Sequence, residues 1–220
     1  MSQSLGKGII FIALACIAVA SHAAIIVDNG TVDPGRTTWN SVDPVYTIFD
    51  DFVLSDATLI TRIDHTIFMP QIENYSRTFV SVWDGIGADA TDIVAEFAAV
   101  GDLTANGLTT NNAIVPNGFD VVIDNLAMHL APGIYFLGIR TDTVTGAATI
   151  GSGAGGVDTI GPGLFQAMGT DPTGIVANRV NDHFAFRLQG TVVLPEPGTL
   201  ALIAAGLLGV CSVRRRKSKA

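Results

Sequence analysis

Three carboxylates and two glycines fall within nine residues, Asp84-Gly85-Ile86-Gly87-Ala88-Asp89-Ala90-Thr91-Asp92. Calcium takes about six to eight oxygens from a loop that can bend around it, so Asp84, Asp89 and Asp92 are the candidate metal ligands. The spacing is not that of an EF-hand, whose acids alternate, and a solvated turn is the plainer reading. Asp28-Asn29-Gly30 with Asp33 is a second, sparser cluster of the same kind. Sugar binding would call for a flat ring beside polar groups. Trp39, in the polar run Thr37-Thr38-Trp39-Asn40-Ser41, is the candidate sugar-binding aromatic, whereas Trp83 closes an apolar run and reads as core.

Hydrolytic chemistry lacks its parts. No G-x-S-x-G elbow presents a nucleophilic serine. Beyond residue 23 the histidines are His65, His129 and His183, and their spacing fits no zinc motif. His65 falls on an apolar face and reads as a hydrogen-bonded core residue. Glycoside cleavage asks for two carboxylates across a cleft; in so acidic a chain some pair always qualifies, so abundance decides nothing. Gly151-Ser152-Gly153-Ala154-Gly155-Gly156 has the spacing of a dinucleotide fingerprint, but such a run must open a helix. Gly161-Pro162-Gly163 follows, and the segment reads as loop. No catalytic residue is assigned.

The elements that must position these residues are strands. Val, Ile, Thr and Phe dominate the middle of the chain, with Gly, Asn, Asp and Pro clusters between them. Strands are expected over residues 45–54, 59–69 and 78–83, with Leu59, Ile63 and Ile67 inward in the second. In residues 119–124, Phe119, Val121 and Ile123 share one face while Asp120 and Asp124 share the other. Residues 126–130 and 134–140, joined by Pro132-Gly133 with its type II turn chemistry, read as a hairpin. In residues 183–188, Phe184, Phe186 and Leu188 point in, and His183 and Arg187 point out. Residues 92–100 have some helical spacing, yet a strand or irregular turn is preferred. The fold class is therefore all-β, an antiparallel sandwich of jelly-roll type with about eight strands.

Charge and cysteine narrow the partners. Between Ala24 and Leu194 stand 19 carboxylates, six arginines and no lysine, a net charge near −13. Nucleic acid is excluded as a natural partner, since phosphates call for a basic surface. The cysteines are Cys16 and Cys211, one near each end, so the middle has neither disulfide nor thiolate site.

The two ends carry an address. Lys7 precedes an apolar core over residues 8–20, and Ser21-His22-Ala23 offers small residues for signal-peptide cleavage, expected after Ala23 and before Ala24. At the other end, Pro195-Glu196-Pro197 is followed by an apolar run over residues 199–213 and by Arg214-Arg215-Arg216-Lys217. The run has helical composition, and the basic cluster resists export as a stop-transfer signal. This order resembles the PEP-CTERM sorting tail of bacterial surface proteins. Three stretches also loosely resemble the β-sandwich domains that precede such tails: Asp50-Asp51-Phe52-Val53-Leu54, Leu130-Ala131-Pro132-Gly133-Ile134-Tyr135, and Phe184-Ala185-Phe186-Arg187-Leu188.

The division is a signal peptide over 1–23, an exported β-sandwich over 24–192, and a sorting tail with a transmembrane helix over 193–220. The resemblance implies handling by the Sec export machinery and an exosortase-type protease, with transient insertion in the inner membrane. It further implies a structural or binding role at the cell surface or in an exopolysaccharide matrix; with no catalytic signature in the residues, no enzymatic activity is expected. A carbohydrate-binding module is the first alternative and a secreted hydrolase the second. No cofactor is expected apart from the candidate calcium ion.

Overall fold

The computed structural model describes residues 23–33, 39–40, 46–86, 92–153, 164–168, 175–179 and 182–193. Strands β1 (Ala24–Asp28), β2 (Trp39–Asn40), β3 (Tyr46–Leu54) and β4 (Thr58–Met69) lead to a 3-10 turn at Ile72–Asn74. Then come β5 (Tyr75–Trp83), β6 (Ile93–Ala99), β7 (Asp102–Thr109), β8 (Asn117–Ile123), β9 (Met128–Leu130) and β10 (Gly133–Thr143). Short strands β11 (Thr149–Ile150), β12 (Ser152–Gly153), β13 (Leu164–Met168), β14 (Ile175–Arg179) and β15 (His183–Phe184) precede β16 (Phe186–Val192).

Two antiparallel sheets face each other. The first is built around β4, with β16 and β11 along one side and β9 and β8 along the other. β1 lies outside β16, β2 outside β11 and β7 outside β8. The second runs β14-β13-β3-β10-β5-β6, and β12 with β15 makes a separate pair. The expected all-β class and its antiparallel sheets are present. Among the described residues no helix is long and apolar enough to cross a membrane. The signal segment and the tail, where helices are expected, lie outside the described residues.

The core fills the space between the sheets. Ile60, Ile63 and Ile67 of β4, Phe119, Val121 and Ile123 of β8, and Phe186 and Leu188 of β16 meet Ile48, Phe52, Val80, Leu137 and Ile139 of the second sheet. Each such side chain contributes about 1.5–3 kcal/mol by leaving water, which is what a chain without disulfides in its middle depends on. Phe49 and Phe136 are buried on the opposite face of the second sheet, with Trp83 and Ile86 packed against them. Trp83 thus joins a satellite cluster and not the main core.

Four expectations meet the coordinates with different results. The preferred strand over residues 92–100 is present as the edge strand β6. In β4, Leu59 is only half-buried and Ile60 takes the inward place. The cause is a register shift, in which Gln189 faces Arg62 but Gly190 faces Ile60. One extra residue in β4 reverses the phase of alternation.

The Pro132-Gly133 corner does not make a hairpin. β9 pairs with β4 in the first sheet, whereas β10 pairs with β3 and β5 in the second. The corner carries the chain from one layer to the other, and the Tyr135 hydroxyl donates back to the Ala131 carbonyl at 2.9 Å. Nor does His183 point out. The final strand breaks at Ala185, whose N–H donates to the Gly151 carbonyl at 3.1 Å. His183 before the break pairs with β12 and is buried, 4 % exposed.

Candidate binding groove

Residues that alternate with the core on the first sheet converge on its outer face. Arg62, Asp64 and Thr66 of β4, Arg187 and Gln189 of β16, and Asp120 of β8 form the floor of a groove of about 550 Å³. That volume lies within the range of small-ligand sites, roughly 300–1,000 Å³. A second hollow of about 560 Å³ adjoins it, sharing Arg62 and Gln189 and reaching Asp124 and Asn125.

Two carboxylates organise the floor. Asp64 is held by Arg62 Nε at 2.6 Å on Oδ1 and by Gln189 Nε2 at 2.7 Å on Oδ2. Asp120 Oδ1 accepts from Thr66 Oγ1 at 2.8 Å and from Asn106 Nδ2 at 2.7 Å. The residue is exposed, and no donor to its Oδ2 is found among the described residues. Arg62 Nη1 also lies 3.7 Å from Asp124, and Arg187 Nε lies 3.1 Å from Asp28 Oδ2. These pairs are partly exposed, so each adds little stability; their effect is to fix where donors and acceptors stand.

One wall is a bulge. Between the pairs Ala105↔Phe119 and Thr109↔Asn117, β7 carries two more residues than β8. The surplus folds over the sheet with Gly107 at φ 76°, where a side chain would strain the backbone. Asn106 Oδ1 pins it by accepting the Leu108 N–H at 3.0 Å. Beneath, a Cβ on Gly118 would lie 2.6 Å from Asn106 Oδ1, so glycine there is what lets the bulge sit down.

The facing wall is the segment 30–32, and it is latched from inside. The Asp33 N–H donates to the Ser152 carbonyl at 3.0 Å and the Asn29 N–H to the Phe186 carbonyl at 2.9 Å. Asn29 Nδ2 reaches inward to Asp50 Oδ2 at 2.6 Å and to the Phe184 carbonyl at 3.0 Å. Asp50 is fully buried on β3 of the second sheet. It also accepts the Phe184 N–H at 2.7 Å and the Asp51 N–H at 3.0 Å, with His183 Nδ1 at 3.6 Å. Burial pushes the Asp50 carboxyl above the usual range, while His183 and the Phe184 N–H oppose that rise. A buried carboxyl stands only where donors surround it, and these donors come from Asn29 just past β1, from Phe184 of β15 and from Asp51 of β3 itself.

His65 occupies the core as expected but is not hydrogen-bonded. Neither ring nitrogen has a partner among the described residues, and the ring packs edge-on to Phe184 at 6.1 Å between centroids. Burial pushes its pKa down to about 3, with the Asp120 carboxylate opposing. His129 is exposed on β9. The three histidines stand on separate strands with separate surroundings.

The sequence-derived metal residues are brought together in part. Asp84 Oδ1 accepts the Asp92 N–H at 2.9 Å, and the Asp84 N–H meets the Asp92 carbonyl at 3.3 Å. Asp84 and Asp92 thus close the neck of the loop; Asp89 lies outside the described residues. Asp28 accepts the Gly30 N–H at 3.2 Å and pairs with Arg187, while Asp33 stays exposed. Among the described residues no three or more His, Cys, Asp or Glu side chains are grouped to hold a metal ion. Trp39 pairs through its backbone with Ile150 at the edge of the first sheet; its side chain lies outside what is described. Ala23 precedes β1 and Ala24 begins it, so the expected cleavage would leave that strand whole. Pro195, Glu196, Pro197 and residues 214–217 lie outside the described residues.

The groove itself was not anticipated. Its signal was present in the outward places of β4 and β8, where Arg62, Asp64, Thr66, Asp120 and Asp124 alternate with apolar residues. The missing step was that β4 lies between β8 and β16, which puts their polar faces side by side.

Residues 193–217 match the family model of the PEP-CTERM protein-sorting motif. No curated protein matches the chain. The motif marks an exported protein, recognised by an exosortase and processed at a membrane.

Proposed function

We propose that this chain, sorted through its PEP-CTERM tail, is a binding protein of the cell surface or exopolysaccharide matrix, and not an enzyme. The observation that carries this reading is the walled polar groove on the outer face of the first sheet. Its arginines are held by Asp64 and Asp28, so the positions of its polar groups are set before a ligand arrives, as suits recognition. Its carboxylates Asp64 and Asp120 are each held by neighbouring side chains, Arg62 and Gln189 on the first and Thr66 and Asn106 on the second, which supports recognition. A purely structural role would leave no reason for a bulge and a latched segment to enclose the same face. A carbohydrate-binding module is the specific form of this proposal. Export through the Sec machinery, cleavage after Ala23 and loss of the basic cluster complete the proposed route.

Mass spectrometry of both ends of the protein recovered from an exosortase-bearing host tests the route. The expected mature protein begins at Ala24 and ends near Pro195-Glu196-Pro197. Surface protein that keeps Arg214 to Lys217 would count against processing of the tail. Turnover of a polysaccharide or ester panel by the purified protein would replace the binding role with hydrolysis.

A further inference from the structure

We infer that the groove on the first sheet binds an uncharged, hydroxyl-rich polymer, a neutral polysaccharide segment, with Asp120, Asn106 and Gln189 as its principal contacts. This rests on the proposed surface-binding role and names the ligand class for it.

The lining selects by elimination. Arg62 is held by Asp64 and Arg187 by Asp28, so no unpaired cation waits for a phosphate, sulfate or uronate. The middle of the chain carries a net charge near −13, which repels polyanions at longer range. Lipids and apolar peptides would leave the charged and amide groups of Arg62, Asp64, Asp120, Arg187 and Gln189 without water. An extended peptide would seek free main-chain groups at a sheet edge, whereas the floor here is the face of β4, β8 and β16, whose backbone is paired within the sheet.

A sugar hydroxyl both donates and accepts, so it fits a surface that alternates the two. Asp120, with the Asn106 amide beside it, stands at one part of the floor, and Gln189, its amide on Asp64, stands across β4 from it, while Leu108 and Val122 offer small apolar surfaces to C–H groups. Shape agrees with a chain molecule. The two adjoining hollows share Arg62 and Gln189, and the floor from Arg62 to Thr66 runs roughly 13 Å along β4 at about 3.3 Å per residue. A single small molecule would need one hollow.

Affinity electrophoresis of the full chain in detergent tests the assignment. The probes are dextran, soluble starch and β-glucan against alginate and hyaluronan, with a peptide array as a further arm. Retardation by at least one neutral polymer is expected. Asp120→Ala should weaken it about tenfold or more, as loss of contacts at one carboxylate implies, while Glu73→Ala, on the 3-10 turn and outside the groove lining, leaves it unchanged. Gln189→Ala provides a second variant should Asp120→Ala not fold, with circular dichroism as the check on both. Retardation by the anionic polymers alone, by peptides alone or by none of the probes would overturn the assignment, as would full binding by both folded groove variants. The display reading is scored separately: if only the ligand class is wrong, the wild type and both variants still reach the surface without their basic tails.

Discussion

His65→Leu should make this protein more stable and less sensitive to acid. The imidazole is 3 % exposed and both its nitrogens lack partners among the described residues. A buried, unsatisfied polar group costs about 1–3 kcal/mol. A leucine of similar bulk beside Ile63 and Ile67 removes that cost, so unfolding at neutral pH should need about 1 kcal/mol more, or about 2–4 °C in Tm at this size. The pH dependence carries the sharper number. The folded pKa is about 3 against a reference near 6.5. Between those values the unfolded chain binds the proton and the folded chain does not. The stability from a neutral His65 is therefore complete above about pH 6.5 and falls as pH drops toward 3. At about pH 5 the loss is roughly 1.5 × 1.36, or about 2 kcal/mol. Asp50 works in the opposite sense, since its raised pKa lets the folded state hold a proton more readily as pH falls. It is common to both proteins and cancels in a double difference. Urea unfolding of wild type and His65→Leu at about pH 7.5 and 5 gives that difference. A value below about 0.5 kcal/mol, with wild type and variant losing stability together, would refute the account of His65 as a neutral, water-excluded ring.

Asn29→Ala should cost about 1–3 kcal/mol, because the buried Asp50 carboxyl loses its 2.6 Å amide donor. Hydrogen exchange should show faster exchange at the Asp33 N–H before other amides; an unchanged melting temperature and exchange pattern would show that the latch is not under load. For the loop between Asp84 and Asp92, calcium at about 10 mM, above the range in which extracellular modules bind, should leave Tm within about a degree of its value in EDTA. The reason is that the neck is already closed by the Asp84 carboxylate on the Asp92 N–H. A rise of several degrees that disappears in Asp84→Ala with Asp89→Ala would establish the metal site instead.

Local pattern carried the strands and the long-range pattern did not. The alternation at Phe119, Val121 and Ile123 needs only neighbours two apart, and the side chains sit as read. The Pro132-Gly133 corner shows the limit. Its turn chemistry is the same whether the chain folds back within a sheet or crosses between two, and only the distant partners β3, β4 and β5 decide. The error at Leu59 has a similar origin, since the extra residue is defined by β16, more than a hundred residues away. His183 misled for a related reason. Its parity was counted through Ala185, where the strand changes partners and the count restarts. Asp50 lay in plain sight as an acid inside an apolar run, but its donors come from Asn29, Asp51 and Phe184, a constellation no sequence spacing encodes. The groove follows the same rule: its side chains were individually legible as outward-facing, and their convergence is a property of sheet order.

The way β16 leaves the fold has a mechanical consequence. It is clasped on both sides, by β1 and by β4, and the Val193 N–H is tied to the Ala57 carbonyl at 2.7 Å. The sorting tail continues from Val193, so tension applied through the tail would enter along the axis of β16. Pulled in that direction, its ladders with two neighbours share the load together instead of opening one bond at a time. Arg187 and Gln189 of the groove stand on that same strand. A ligand held in the groove and an attachment at the end of β16 would thus pull against each other through one strand and its immediate neighbours, leaving the second sheet largely outside the line of force.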